Sequence, residues 1–305
     1  MISRAMLFVV VVGGCGSGTT AVADAPAPDS ADAEMATCVP PGSCDWLDGY
    51  QRGIVGALAG ETEITPGLRL AHRATVAERA ATRQYLLAEL TALGLQPSAQ
   101  DYGTGQNVLA TLPATTGTGG LIVVGSHFDG VIAGPAAADN ATGVAVVLAA
   151  ARYLRDVPVR HHPIVFALFD EEELGLRGSK AYAAELVAAG TEVTGVHVFD
   201  MLSFDGDGDH AVELWSPSPP LAALYEAHGP LAGTPIQPVA FKSSDHQAFL
   251  DVGLPTVGVC EEFVANDHTP HYHKATDTFD HVSFEYLALA TNLAFTVLED
   301  SARTP

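Results

Sequence analysis

Between residues 45 and 300 short apolar runs alternate with stretches of helical periodicity, the pattern of a layered α/β fold. Runs at 107–112, 121–125, 164–169, 193–199, 212–215, 236–241 and 256–260 are bounded by Gly, Pro or Thr and read as strands. Helices are expected over 75–93, 143–154, 179–189, 220–228, 245–252 and 283–299. In the first of these Leu86, Leu90 and Leu93 share a face, and Gly94 stands where a C-terminal glycine ends a helix. No repeat and no Pro/Ser linker follows residue 45. The expected architecture is one three-layer α/β/α domain around a mainly parallel, doubly wound sheet with both faces covered.

The residues ahead of this pattern have a different composition. Arg4 and the apolar run 6–12 read as an export signal. The run is too short to span a bilayer, which needs about 20 apolar residues. It ends in Val12-Gly13-Gly14-Cys15, similar to the bacterial lipoprotein box, in which cleavage leaves the Cys for lipidation. An ordinary secretory signal cut further on is the alternative. The expected division is a signal peptide over 1–14, a flexible tether over 15–44 and the folded domain over 45–305. The protein is therefore expected in the bacterial cell envelope or outside the cell, touching membrane only through a lipid anchor. Cys38 and Cys44 flank a tight loop and are expected to close a small disulfide. Cys260 reads as a buried core thiol, although its pairing with either of the others is left open.

Charge narrows the partners. With 14 Lys plus Arg against 36 Asp plus Glu, the formal net charge is −22. Such a surface repels nucleic acid and anionic lipid headgroups.

Acidic and imidazole side chains recur just after the expected strands. His127 and Asp129 follow one, Glu172 and Glu173 a second, Asp200 a third, and Asp139 precedes the helix at 143. Open α/β sheets place ligand sites at these carboxyl ends. Gathering anions there costs several kcal/mol unless a cation offsets the repulsion. Histidine with carboxylates and no Cys suits zinc, with cobalt or manganese as substitutes. The ligands exceed what one tetrahedral ion needs, so a co-catalytic pair is expected. In the Glu172-Glu173 pair one carboxylate can bind metal while its neighbour moves a proton.

The segments Gly125-Ser126-His127-Phe128-Asp129, Ala138-Asp139-Asn140-Ala141-Thr142-Gly143, Glu172-Glu173-Leu174-Gly175-Leu176-Arg177-Gly178-Ser179, Phe199-Asp200-Met201, Ser244-Asp245-His246 and Tyr272-His273 through Asp277-Thr278 occur in this order. Together they resemble the signature of the bacterial leucyl aminopeptidase / aminopeptidase Y family of di-zinc exopeptidases, over roughly residues 106–285. The resemblance implies a zinc-exopeptidase, phosphorylase/hydrolase-like fold and removal of N-terminal residues from peptides with a free α-amine. It implies that Asp139 bridges two zinc ions, with His127 and Asp200 completing one site and Glu173 and His273 the other. It implies Glu172 as general base, Asp129 as the group orienting His127, Tyr272 as an oxyanion donor and a cis Asp139–Asn140 bond. A glutaminyl cyclase-like enzyme on the same fold, typically with one ion, is the nearest rival. A non-catalytic binding ectodomain is the more distant one.

Other polar residues have plainer readings. His161 and His162 are expected in a solvent-facing loop, and His197 as a core histidine within a strand. His268 and His271 compete with His273, which the spacing to Asp277-Thr278 favours. Asp245 and His246 either support the site or merely start a helix. Asp205, Asp207 and Asp209 alternate like a calcium loop, but His210 and Ser216 stand where an EF-hand needs Gly and Glu. A solvated turn is the favoured reading there, with calcium the minor one.

Overall fold

Residues 44–117 and 119–305 are described by a computed structural model. The expected signal peptide, Cys15, most of the tether and Cys38 lie outside the described residues. Cys44 is disulfide-bonded, whereas Cys260 is buried and free.

Chain order is α1 (Leu47–Leu58), α2 (Val76–Ala92), β1 (Ser98–Asp101), β2 (Gln106–Leu112), β3 (Leu121–His127), a kinked turn (Ala137–Thr142) and α3 (Gly143–Leu154). There follow β4 (Ile164–Phe169), α4 (Arg177–Ala188), β5 (Val193–Phe199), β6 (Val212–Trp215) and α5 (Pro219–Ala232). Last come β7 (Ile236–Val239), α6 (His246–Leu250), β8 (Thr256–Cys260) and α7 (Phe284–Arg303). The sheet order is β1-β2-β4-β3-β5-β8-β6-β7. Its centre, β4-β3-β5-β8, is parallel, as is β6-β7, while β1-β2, β2-β4 and β6-β8 are antiparallel.

Successive strand residues point to opposite faces, and both faces are covered. Ile122 and Val124 of β3 join a core built with α1, α2, α3, α5 and α7. Val123 joins a second core with Tyr182 and Leu186 of α4 and Phe249 of α6. This is the expected three-layer α/β fold. The helix expected over 75–93 starts at a capping box, with Thr75 Oγ1 accepting from the Glu78 amide and the Glu78 carboxylate accepting from the Thr75 amide. Gly94 has φ +79°, the left-handed conformation that closes a helix. No helix among the described residues is long and apolar enough to cross a membrane.

Two elements depart from expectation. Helix α1 carries Gly49, Gly53 and Gly56, which weaken helical propensity. Tertiary contact holds it: Gln51 Nε2 donates to Thr291 Oγ1 of α7 at 2.7 Å. Strand β1 is the polar sequence SAQD at the sheet edge, so it shows no apolar alternation.

Two histidines separate cleanly. His162 is buried rather than solvent-facing, its Nδ1 2.7 Å from Gly120 O and its Nε2 2.9 Å from Thr304 O. The end of α7 covers it, with the Ala302 carbonyl accepting from the His161 amide. His197 lies in the core as expected, its Nδ1 3.1 Å from Tyr225 Oη. Burial pushes His197 down to about 3. The unfolded chain takes up this proton near pH 6.5 and the folded chain does not, so stability falls as pH drops through that window. One such proton is worth about 1.4 kcal/mol per pH unit. His197→Asn, which keeps an amide near the Nδ1 position, should make the acid limb of a urea-unfolding series shallower by that slope. An unchanged limb would rule this histidine out as a contributor.

Candidate metal centre

The sheet order puts β3 between β4 and β5, all parallel, so three carboxyl ends meet at one edge. His127 is the last residue of β3, Glu172 and Glu173 lie in the turn after β4, and Asp200 follows β5. Asp139 comes from the kinked turn, whose Asp139–Asn140 peptide bond is cis. Asp277 accepts from the amides of Ala138 (2.7 Å) and Asp139 (3.2 Å), holding that turn from below. The buried Asn140 side chain uses four hydrogen bonds to pin it across the sheet. Its Nδ2 donates to Ser126 Oγ and Phe199 O, and its Oδ1 accepts from the Gly143 and Met201 amides. Gly143 must be glycine, since a Cβ there would lie 2.3 Å from Asn140 Oδ1 and 2.5 Å from Phe199 O.

The ligand atoms form two triangles that share Asp139. His127 Nε2 lies 3.3 Å from Asp139 Oδ1 and 3.4 Å from Asp200 Oδ1. His273 Nε2 lies 3.1 Å from Asp139 Oδ2 and 3.2 Å from Glu173 Oε2. Zinc with ligands at about 2.0–2.1 Å in a tetrahedron separates them by roughly 3.3 Å, which is the spacing seen here. Asp200 Oδ1 and Glu173 Oε1 are buried with no hydrogen-bond partner. Ser244 Oγ donates to Asp200 Oδ2 at 2.6 Å, turning Oδ1 toward His127. The donor set and its spacing therefore fit a pair of zinc-sized ions.

Glu172 lines the same pocket but belongs to neither triangle. Asp129 stands 3.5 Å from His127 Nδ1, at the outer limit of a hydrogen bond. Its carboxylate instead accepts from the amides of Glu172 (3.0 Å) and Glu173 (3.2 Å), so it orients the carboxylate pair as much as the imidazole. Tyr272 stacks on His273 with ring centroids 3.9 Å apart, at the pocket wall. Trp215, Phe241 and Phe263 continue that wall, with Trp215 and Phe241 centroids at 4.4 Å. His268 packs on Phe263 and His271 on His281, outside both triangles.

The anions perturb one another. Burial, then Asp245, Asp200 and Asp139, push Glu172 well above the carboxylate range, with His127 pulling the other way. Burial, then Asp139, pushes Glu173 up to about 7. Asp139 also meets a burial penalty, but hydrogen bonds from His127 and His273 outweigh it and hold it below the usual range. Asp245 is wholly buried, and burial pushes it up to about 7. It precedes α6, lies outside both triangles and the pocket lining, and its charge helps raise Glu172.

A second acidic group lies apart. Carboxylates of Asp205, Asp207 and Asp267 converge, as do those of Asp207, Asp209 and Glu262. Backbone amides already occupy several of these oxygens: Gly206 and Asp207 donate to Asp267, and Gly208 to Asp205.

The probable lipoprotein aminopeptidase LpqL of Mycobacterium tuberculosis is 28% identical over 223 residues, covering 63% of this chain and 44% of that protein. The chain spans less than half the length of the first curated relatives it matches, at 44% and 43%. LapB from Legionella pneumophila superposes with a TM-score of 0.76 at 18% identity, covering 84% of this chain and 72% of that one. Fimbriiglobus ruber glutaminyl cyclase gives 0.66 at 18% identity, covering 86% of this chain and 96% of that one. At such identities both structures speak to fold alone. Residues 107–298, which carry every side chain of the two triangles, match Peptidase family M28, and the chain belongs to that family.

Proposed function

We propose that the chain is a zinc aminopeptidase that removes N-terminal residues from peptides. The observation that carries this reading is the pair of tetrahedrally spaced triangles sharing Asp139, with Glu172 in the same pocket but outside both. His127 and Asp200 would hold one ion, Glu173 and His273 the other, with Asp139 available to both. When bound, the zinc pair supplies Lewis acidity at the scissile carbonyl and makes water acidic enough to ionise near neutrality. Glu172 takes the proton of the attacking water and hands it to the leaving amine. Asp129, through the Glu172 and Glu173 amides, keeps that base aimed into the pocket. Tyr272 donates its hydroxyl to the developing oxyanion. The carboxylates at the pocket hold the substrate ammonium, which favours cleavage at chain ends; among the described residues the pocket lining carries no Lys or Arg.

The N-terminal reading belongs to the same proposal: export under the signal over 1–14, lipidation at Cys15, and a tether carrying the catalytic domain at the envelope or beyond. Two half-sites favour peptidase over the cyclase alternative, which needs one ion. A panel of aminoacyl-anilides, with metal counting and a chelator arm, tests the choice. The expected result is two zinc ions per chain, Leu-anilide hydrolysis abolished by chelation, and recovery with zinc, cobalt or manganese. One zinc with cyclised product from a Gln substrate would overturn it.

A further inference from the structure

Arg73 lies outside the family-matched segment 107–298 and is fully buried. Burying a guanidinium costs several kcal/mol unless its donors are used. Here four hydrogen bonds leave it, all to backbone carbonyls. Nε donates to Phe128 O at 2.7 Å, Nη1 to Leu58 O at 2.9 Å and Pro135 O at 2.7 Å, and Nη2 to Ala136 O at 2.8 Å. These acceptors are not scattered. Phe128 separates His127 from Asp129, and Pro135 and Ala136 lead into the turn that carries Asp139. Leu58 is the last residue of α1, where carbonyls have no intrahelical partner and the helix dipole is negative.

We propose that Arg73 is a positioning residue for the metal cradle: its planar fork fixes the loop bearing His127 against the turn bearing Asp139, and ties both to α1. The role of the cradle rests on the zinc reading above; the clamp itself does not. Ala136, which accepts from Nη2, has left-handed φ of +60°, so this loop needs an external partner to hold its path. Burial works against the guanidinium charge and lowers its pKa overall, while Asp277, then Asp129, Asp139 and Glu173, offset part of that penalty. A lysine would keep the charge, but its three donors radiate from one nitrogen and cannot match carbonyls reached from three separate guanidinium nitrogens.

The test compares the parent, Arg73→Lys, Arg73→Ala and, as a surface control, Arg52→Ala. Amide hydrogen exchange on metal-free protein should show faster exchange over 128–142 in Arg73→Lys and an unchanged pattern in the control. Zinc affinity, read by competition with a chromophoric chelator, should fall about 10–100-fold in Arg73→Lys, the range expected when support behind metal ligands is lost. In Arg73→Ala, millimolar guanidinium ion should restore both readouts, which a general folding defect would not allow. Parent-like exchange over 128–142 in Arg73→Lys, or no guanidinium rescue of Arg73→Ala, overturns the proposal. A parent that binds no zinc while the exchange difference persists would sink the zinc reading and leave the clamp standing.

Discussion

Glu172→Gln is expected to lower turnover about 10²–10⁴-fold, the usual worth of general acid–base catalysis, with zinc content unchanged. The separation of roles follows from geometry. Glu172 lines the pocket yet contributes to neither ligand triangle, so an isosteric amide removes a proton acceptor without removing a metal donor. The Glu172 backbone stays where it is, because Asp129 grips its amide at 3.0 Å and does not depend on the side chain. Glu173→Gln makes the contrast. Glu173 Oε2 stands 3.2 Å from His273 Nε2, so that change should cost metal in one half-site as well as rate. Metal analysis beside steady-state kinetics on the two variants reads both effects. An active Glu172→Gln enzyme would show that the base lies elsewhere.

Much of the fold was legible because the central strands are continuous apolar runs with clear punctuation. The strands 164–169, 193–199, 212–215 and 256–260 have the observed bounds. Strand β1 and helix α1 are not legible in the sequence, because a polar edge strand and a glycine-rich helix carry little local signal and are held by neighbours. The candidate site divides along the same line. His127, Asp139, Glu173, Asp200 and His273 stand in short motifs, and the structure brings them together. The groups that hold them are harder to read: Asn140 and Ser244 stand in the same motifs without showing their role, and Arg73 stands in none of them. Arg73 and Asn140 act largely on backbone atoms, and Ser244 reaches Asp200 across 44 positions of sequence. Backbone carbonyls look alike in every sequence, so no residue pattern records which arginine will find them. His162 departs from the solvent-facing expectation for a related reason: the segment at the end of α7 that buries it is remote in the chain.

The second large effect concerns Asp139, the one side chain present in both triangles. Asp139→Asn preserves shape and leaves the backbone amide free to donate to Asp277. It converts one of two donor oxygens into an amide NH2, which has no lone pair free for a metal, and Oδ1 and Oδ2 face different half-sites. No orientation of the amide can serve both, so at least one ion should be lost and turnover with it. His273→Ala and His127→Ala each remove a ligand from one half only, and each should bind at least as much zinc as Asp139→Asn. A thermal series with added zinc measures this directly. At a hundredfold excess over its Kd, each retained site adds about 2.7 kcal/mol of stability. Asp139→Asn should therefore show a smaller zinc-dependent rise in Tm than the parent, and adding His273→Ala to it should cost less than His273→Ala costs alone. Ligands that act through one shared carboxylate are coupled, and non-additivity in that double mutant is the expression of the coupling. Equal zinc-dependent shifts in parent and Asp139→Asn would mean that the two half-sites do not depend on a common bridge.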